Sequence, residues 1–295
     1  MSDLDFTKPK EPPKPAPAAA PTAAPASSYD PAVAVEFFSS VGKAEAVAPG
    51  TTLFAENEKG SRLLLKSDKI YLLLDGEVSL AAKGKVIATV RKGEVFGEMA
   101  SISQMPRSAS AVTKVPCRVI ALDEGQFHNA LRKKPEFALM LMSIMIRRIR
   151  EALAQRAPGD EAAAGKLKES AVFDKSALAV LNRALAQTSV RYERGKTVFT
   201  EGQTGVLMYV VIEGRLAVSI KGKVVERIGP GGVFGEMALV DRTTRLATVA
   251  CETDCGLLAI GRNTFLELVK ASPDFAMSLL NAVGERARFV ATGHK

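Results

Sequence analysis

The chain has 295 residues, 47% of them apolar and 24% charged, with a formal net charge of +8. That length and composition suit two globular domains of ordinary size, and the positive balance admits an anionic partner: a nucleotide, a nucleic acid or a lipid surface. The three cysteines, Cys117, Cys251 and Cys255, are too few for a disulfide framework, and "CETDC" has no second Cys or His pair to complete a metal site, since the histidines are His128 and His294 alone. The same scarcity of histidine leaves little room for Ser/His or Cys/His catalysis.

In chain order, "MSDLDFTKPK" is acidic and then basic with no apolar core, so no export signal is expected and a cytoplasmic location follows. Residues 7–28 hold seven of the fifteen prolines among alanine, lysine and serine. Residues 1–30 therefore read as a flexible tail that buries too little to offset its ordering entropy. A helical segment, "PAVAVEFFSSV", opens the first domain, at 31–155. Short β-rich runs follow, "KIYLLLDGEVSLAAKGKVIATV" and later "CRVIAL", with turns at "DG" and "KG". Two helices close it, "DEGQFHNALRKK" and "PEFALMLMSIMIRRIREALAQ", with Pro135 suited to a first helical turn. The ten-residue run at 137–146 is the most apolar in the chain and too short to span a bilayer. Its Met140, Met142 and Met145 are assigned to a core, although a homodimer interface would use the same side chains. Residues 156–172 read as a linker.

The second domain, 173–295, repeats the first. A shift of 138 residues places Tyr71 on Tyr209, Gly76 on Gly214, Cys117 on Cys255 and "VFGEMA" at 95–100 on "VFGEMA" at 233–238. A period this long marks duplicated domains. The register breaks upstream, where Phe54 pairs with Phe199 only if "ENEKGSRLLLKSDK" carries seven extra residues in a longer loop. Short strands with close turns predict a sandwich or jelly roll in each copy.

The repeated stretch carries the chemistry. Glu98 stands nine residues before Arg107, and Glu236 nine before Arg245. Gly93 and Gly97 permit a tight turn and close backbone approach. A short helix begun after Gly97 would aim free N–H groups at an anion. Arg107, expected on the following strand, offers a planar fork of donors to a phosphate. Glu98 would accept from a sugar hydroxyl. A salt bridge that merely pins a loop explains one copy, but two copies at one spacing point to a sugar and a phosphate held together.

These stretches resemble the phosphate-binding cassette of the cyclic nucleotide-binding domain family, F-G-E-hydrophobic-A and then an arginine followed by small residues. The family includes bacterial catabolite activator proteins and regulatory subunits of cyclic-AMP-dependent protein kinase. The resemblance implies a mainly β fold with flanking helices: two β-rolls (jelly rolls) in tandem. It implies that Glu98 and Glu236 take the ribose 2′-hydroxyl and that Arg107 and Arg245 take the cyclic phosphate. The rest of the cradle would be Gly97, Met99, Ala100, Ser108 and Ala109 in copy one, and Gly235, Met237, Ala238, Leu246 and Ala247 in copy two. Leu246 departs from the small residue usual after the arginine. Copy one is therefore expected to bind more tightly, and copy two to discriminate more strongly against cyclic GMP.

The expected ligand is cyclic AMP, with cyclic GMP second and no metal. The expected role is non-enzymatic signalling through an effector protein. No sequence-specific nucleic-acid binding is expected, since only "ATGHK" follows the last helix and leaves no room for a helix-turn-helix. No Arg-Arg-x-Ser-like segment of the kinase-inhibitor type occurs in the tail. Two alternatives remain: a scaffold whose rolls do not bind ligand, and an activator-like regulator without its own DNA reader.

Overall fold

The computed structural model describes residues 30–58, 68–103, 106–154 and 171–292. Nearly all of the tail 1–30 and of the linker 156–172, and part of the long loop before Tyr71, lie outside them.

The first copy opens with α1 (Pro31–Ser39), started by Asp30, whose carboxylate accepts from Ala32 N at 2.8 Å, and by a proline in the first turn. Eight strands follow: β1 (Ala44–Val47), β2 (Thr52–Phe54), β3 (Ile70–Asp75), β4 (Val78–Ala82), β5 (Lys85–Val90), β6 (Val95–Phe96), β7 (Ser110–Thr113) and β8 (Cys117–Leu122). A short helix, α2 (Glu98–Ser103), lies between β6 and β7. The strands form two four-stranded antiparallel sheets, β1-β8-β3-β6 and β2-β7-β4-β5. The β4–β5 hairpin turns on Lys83 and Gly84, both at positive φ, so the turn carries the right-handed twist of its strands. Tyr71 stacks on Phe96 at 5.2 Å, and Phe54, Leu73, Val78 and Val119 fill the space around them. This core is what β3 and β6 turn inward, and it seats the segment that leaves β6.

The helices at the end of this copy are α3 (Glu124–Lys133) and α4 (Phe137–Ala154). Asp123 and Gln126 form a reciprocal capping box at the start of α3. Met140, Met142 and Met145 of α4 are buried, and Phe37 of α1 stacks on Phe137 at 3.7 Å.

The second copy repeats this order. It runs α5 (Lys175–Ala184), a single 3-10 turn, β9 (Ser189–Tyr192), β10 (Thr197–Phe199), β11 (Leu207–Glu213), β12 (Leu216–Ile220), β13 (Lys223–Ile228), β14 (Val233–Phe234), α6 (Glu236–Asp241), β15 (Thr248–Cys251) and β16 (Cys255–Gly261). Its sheets, β9-β16-β11-β14 and β10-β15-β12-β13, match those of the first copy strand for strand. Tyr209 stacks on Phe234 at 5.1 Å. The closing helices are α7 (Arg262–Ala271) and α8 (Pro273–Thr292). The fold is therefore the tandem pair of helix-flanked β-rolls that the sequence led us to expect.

The described residues divide into two compact units. One holds the first copy together with residues 268–292; the other holds residues 171–267. In the first unit α8 runs along α4 and against α2. Among the described residues no helix is long and apolar enough to cross a membrane. The three cysteines are free and buried, as expected of structural thiols.

Candidate nucleotide cradles

In each copy a two-residue strand drives Val-Phe into the core, and the chain must then reverse within one residue. Gly97 and Gly235 do this at φ 77° and 81°. A side chain there is barred twice over. The backbone is left-handed, and a Cβ would lie 3.1 Å from Arg107 Nη1 or 2.6 Å from Arg245 Nη1. Glycine is thus the condition for bringing the arginine against the turn.

Arg107 and Arg245 are 4% and 6% exposed. Arg107 donates from Nη1 to Gly97 O at 2.6 Å and from Nη2 to Lys69 O at 2.8 Å. Arg245 donates from Nη1 to Gly235 O at 2.7 Å and from Nη2 to Leu207 O at 2.6 Å. Each guanidinium lies over a phenylalanine, 4.2 Å from the Phe54 centroid and 4.0 Å from that of Phe199. The arginine backbones are fixed as well: Arg107 N donates to Glu58 O, and Arg245 N to Gln203 O. The fork is therefore held in place by the protein's own backbone.

The Nε donors complete the picture. Both are buried, and neither makes a hydrogen bond. An unmet donor on a buried charged group is costly, so it marks a place where an acceptor belongs. In copy one the Asp68 carboxylate lies 3.3 Å from Arg107 Nε, an ion pair off the hydrogen-bonding direction. In copy two the repeat places Val206, 67% exposed, at that position. Burial lowers the pKa of both guanidinium groups. In copy one Asp68 leads the opposing effects, and in copy two Tyr209 and then Glu236.

Glu98 and Glu236 begin α2 and α6 and are 2% and 1% exposed. Glu98 is ion-paired with Arg148 of α4. Met99, Ala100, Met237 and Ala238 continue the short helices. Arg107 and Arg245 lie just before the next strand rather than on it, because β7 starts at Ser110 and β15 at Thr248. Ser108 and Ala109 fill that gap in copy one, and Leu246 and Ala247 in copy two. Ala109 is buried, and the other three are half-buried. The structure thus gathers each predicted set around one turn.

Sequence reasoning missed four participants. Phe54 and Phe199 were visible as a repeated pair, but nothing assigned them to the arginine. Asp68 and Arg148 carry no motif, since they reach the cassette from a loop and from a distant helix.

In each copy, then, a buried carboxylate at a helix start lies on the same turn as a buried arginine whose Nη donors meet backbone carbonyls and whose Nε makes no hydrogen bond. The sequence profile named "Cyclic nucleotide-binding domain" matches residues 44–134 and 189–272, more than half of the chain. The cAMP-dependent protein kinase regulatory subunit of Schizosaccharomyces pombe is 30% identical over 225 residues, 72% of this chain and 48% of that one. A cGMP-dependent protein kinase of Drosophila melanogaster is 25% identical, over 68% of this chain and 17% of that one. Among solved structures, the regulatory domain of Toxoplasma gondii PKA with cAMP shares 19% identity, covering 82% of this chain and 85% of that one at a TM-score of 0.29. The chain belongs to the cyclic nucleotide-binding domain family, with two copies of the domain. It spans about half the length of the Schizosaccharomyces pombe relative and a smaller part of the Drosophila melanogaster one.

Proposed function

We propose that the chain is a non-enzymatic regulatory protein that binds cyclic AMP in both rolls and passes the signal to an effector protein in the cytoplasm. Residues 31–155 and 173–295 are the two binding domains, joined by 156–172 and preceded by the tail 1–30. The observation that carries this reading is the twice-built buried arginine with an unmet Nε donor beside a buried glutamate. A cyclic nucleotide fits that set: its phosphate would meet Arg107 or Arg245, and its ribose hydroxyl Glu98 or Glu236. The backbone of Gly97–Ala100 and Gly235–Ala238 would line the cradle, with Ser108 and Ala109 or Leu246 and Ala247 beside it. The name of the Schizosaccharomyces pombe relative agrees with a regulatory role, and the relatives include both cyclic AMP and cyclic GMP systems.

Titration calorimetry tests it, after any co-purified nucleotide has been removed. The parent chain takes up two equivalents of cyclic AMP, Arg107→Ala and Arg245→Ala one each, and the double variant none. Losing one partner of a buried charged contact costs about 2–5 kcal/mol, enough to put a site out of range. A double variant that binds like the parent would make the arginines structural and overturn the reading.

A further inference from the structure

α8 belongs by sequence to the second copy, yet it packs in the unit of the first. At Gly284 it comes so close that a Cβ would lie 3.0 Å from Ile102 Cγ2 on α2 and 3.8 Å from Met145 Sδ on α4. One turn later Arg288 donates from Nη1 to Pro106 O at 2.6 Å. Ile102 lies near the end of α2, and Pro106 immediately precedes Arg107. α8 therefore holds both ends of the run that joins the carboxylate helix to the phosphate arginine.

The close approach is specific to this end of the chain, although the repeat keeps an arginine, Arg150, where α8 has Arg288. The repeat places Ile146, fully buried, where α8 has Gly284. Glycine inside a helix costs about 1 kcal/mol relative to alanine, so its presence needs a packing reason, and the approach of Ile102 supplies one. Burial lowers the pKa of the Arg288 guanidinium, in keeping with a desolvated contact. The second cassette is fastened within its own copy: Thr244 bridges to Thr204, the Asp241 carboxylate accepts from the Thr243 hydroxyl at 2.6 Å, and Arg262 of α7 donates to Leu239 O of α6.

We propose that Gly284 and Arg288 are positioning residues for the first nucleotide site, so that this site is built from both repeats. The inference rests on the reading that the cassettes bind cyclic nucleotide. A cradle held in its ligand-ready shape spares the ligand the cost of ordering it.

The full-length chain is the material for the test. In an Arg245→Ala background, where the first site is the one titrated, Arg288→Ala weakens cyclic AMP binding about tenfold, the loss expected of one charge-assisted hydrogen bond. Arg288→Lys, which keeps a donor, stays close to the parent. In an Arg107→Ala background Arg288→Ala leaves the second site unchanged. Without nucleotide, hydrogen exchange of the α2 amides speeds up in Arg288→Ala and in Gly284→Leu, while that of α6 does not. Unchanged first-site affinity, or equal weakening of both sites, would overturn the proposal, and so would unchanged exchange in α2. A parent chain that binds no nucleotide would instead overturn the functional reading, and α2 exchange would then decide alone whether α8 holds the cassette.

Discussion

At the scale of single residues, the two cradles differ most beside the arginine Nε. Asp68 is a built-in anion against Arg107 that a phosphate bound there would have to displace or outbid; Arg245 faces no such rival from Val206. In the Arg245→Ala background Asp68→Ala is therefore expected to tighten first-site binding, by roughly threefold to tenfold for a partly exposed ion pair. In the Arg107→Ala background Val206→Asp is expected to weaken the second site. Calorimetry reads both. This effect opposes the one expected from Ser108 and Leu246, which favours the first site. The thiols give a second prediction. Burial, with Cys255 adding to it, pushes the Cys251 thiol up to about 12. Iodoacetamide at neutral pH should leave all three buried cysteines unmodified until the chain is unfolded, as mass spectrometry would show. That Glu98 and Arg107 share one turn was legible in the sequence because the same residues repeat at a fixed spacing. Asp68 and Arg148 were not, because contacts that reach the cassette from a loop and from a remote helix leave no periodic trace.

At the scale of elements, most of the local structure was readable. The Asp123–Gln126 box, the Lys-Gly hairpins and Pro273 in the first turn of α8 follow from side-chain chemistry within a few residues, whereas Pro135 falls in the turn before α4 rather than in its first turn. Where each helix docks was less readable. α1 is anchored by Phe37 and Phe38, both fully buried, whereas its counterpart α5 buries only Leu181 and leaves Val180 at the surface. Phe37→Ala removes a ring stacked on Phe137 and should cost about 3–5 kcal/mol of stability in denaturant unfolding. The start of α5 depends on pH. The Ala177 N–H and then the Ser176 hydroxyl hold the Asp174 carboxyl below its ordinary value. A depressed carboxyl stabilises above its unfolded pKa, and that contribution is lost as pH falls through the folded one. The Ala177 amide should accordingly lose exchange protection in acid, and Asp174→Asn, which caps without titrating, should remove that pH dependence.

At the scale of the whole molecule, the duplication was plain from the 138-residue shift, but the way the copies share α8 was not. Periodicity reports that a helix has an apolar face, and it says nothing about which neighbour covers that face. The proposed ligand gives a global readout. At a hundredfold excess over its Kd, a nucleotide bound at one site adds about 2.7 kcal/mol to the stability of the folded form. The parent chain should therefore gain thermal stability with cyclic AMP, each single arginine variant less, and the double variant none, as scanning calorimetry would record.

The seating of α8 also sets an order in time. During synthesis α2 emerges long before α8, and domains generally begin to fold as they leave the ribosome. The first roll can close its sheets early, but its cassette stays unclad until the end of the second copy has been made. The site encoded first is thus the one finished last, and a chain halted between the copies would carry a roll without its brace.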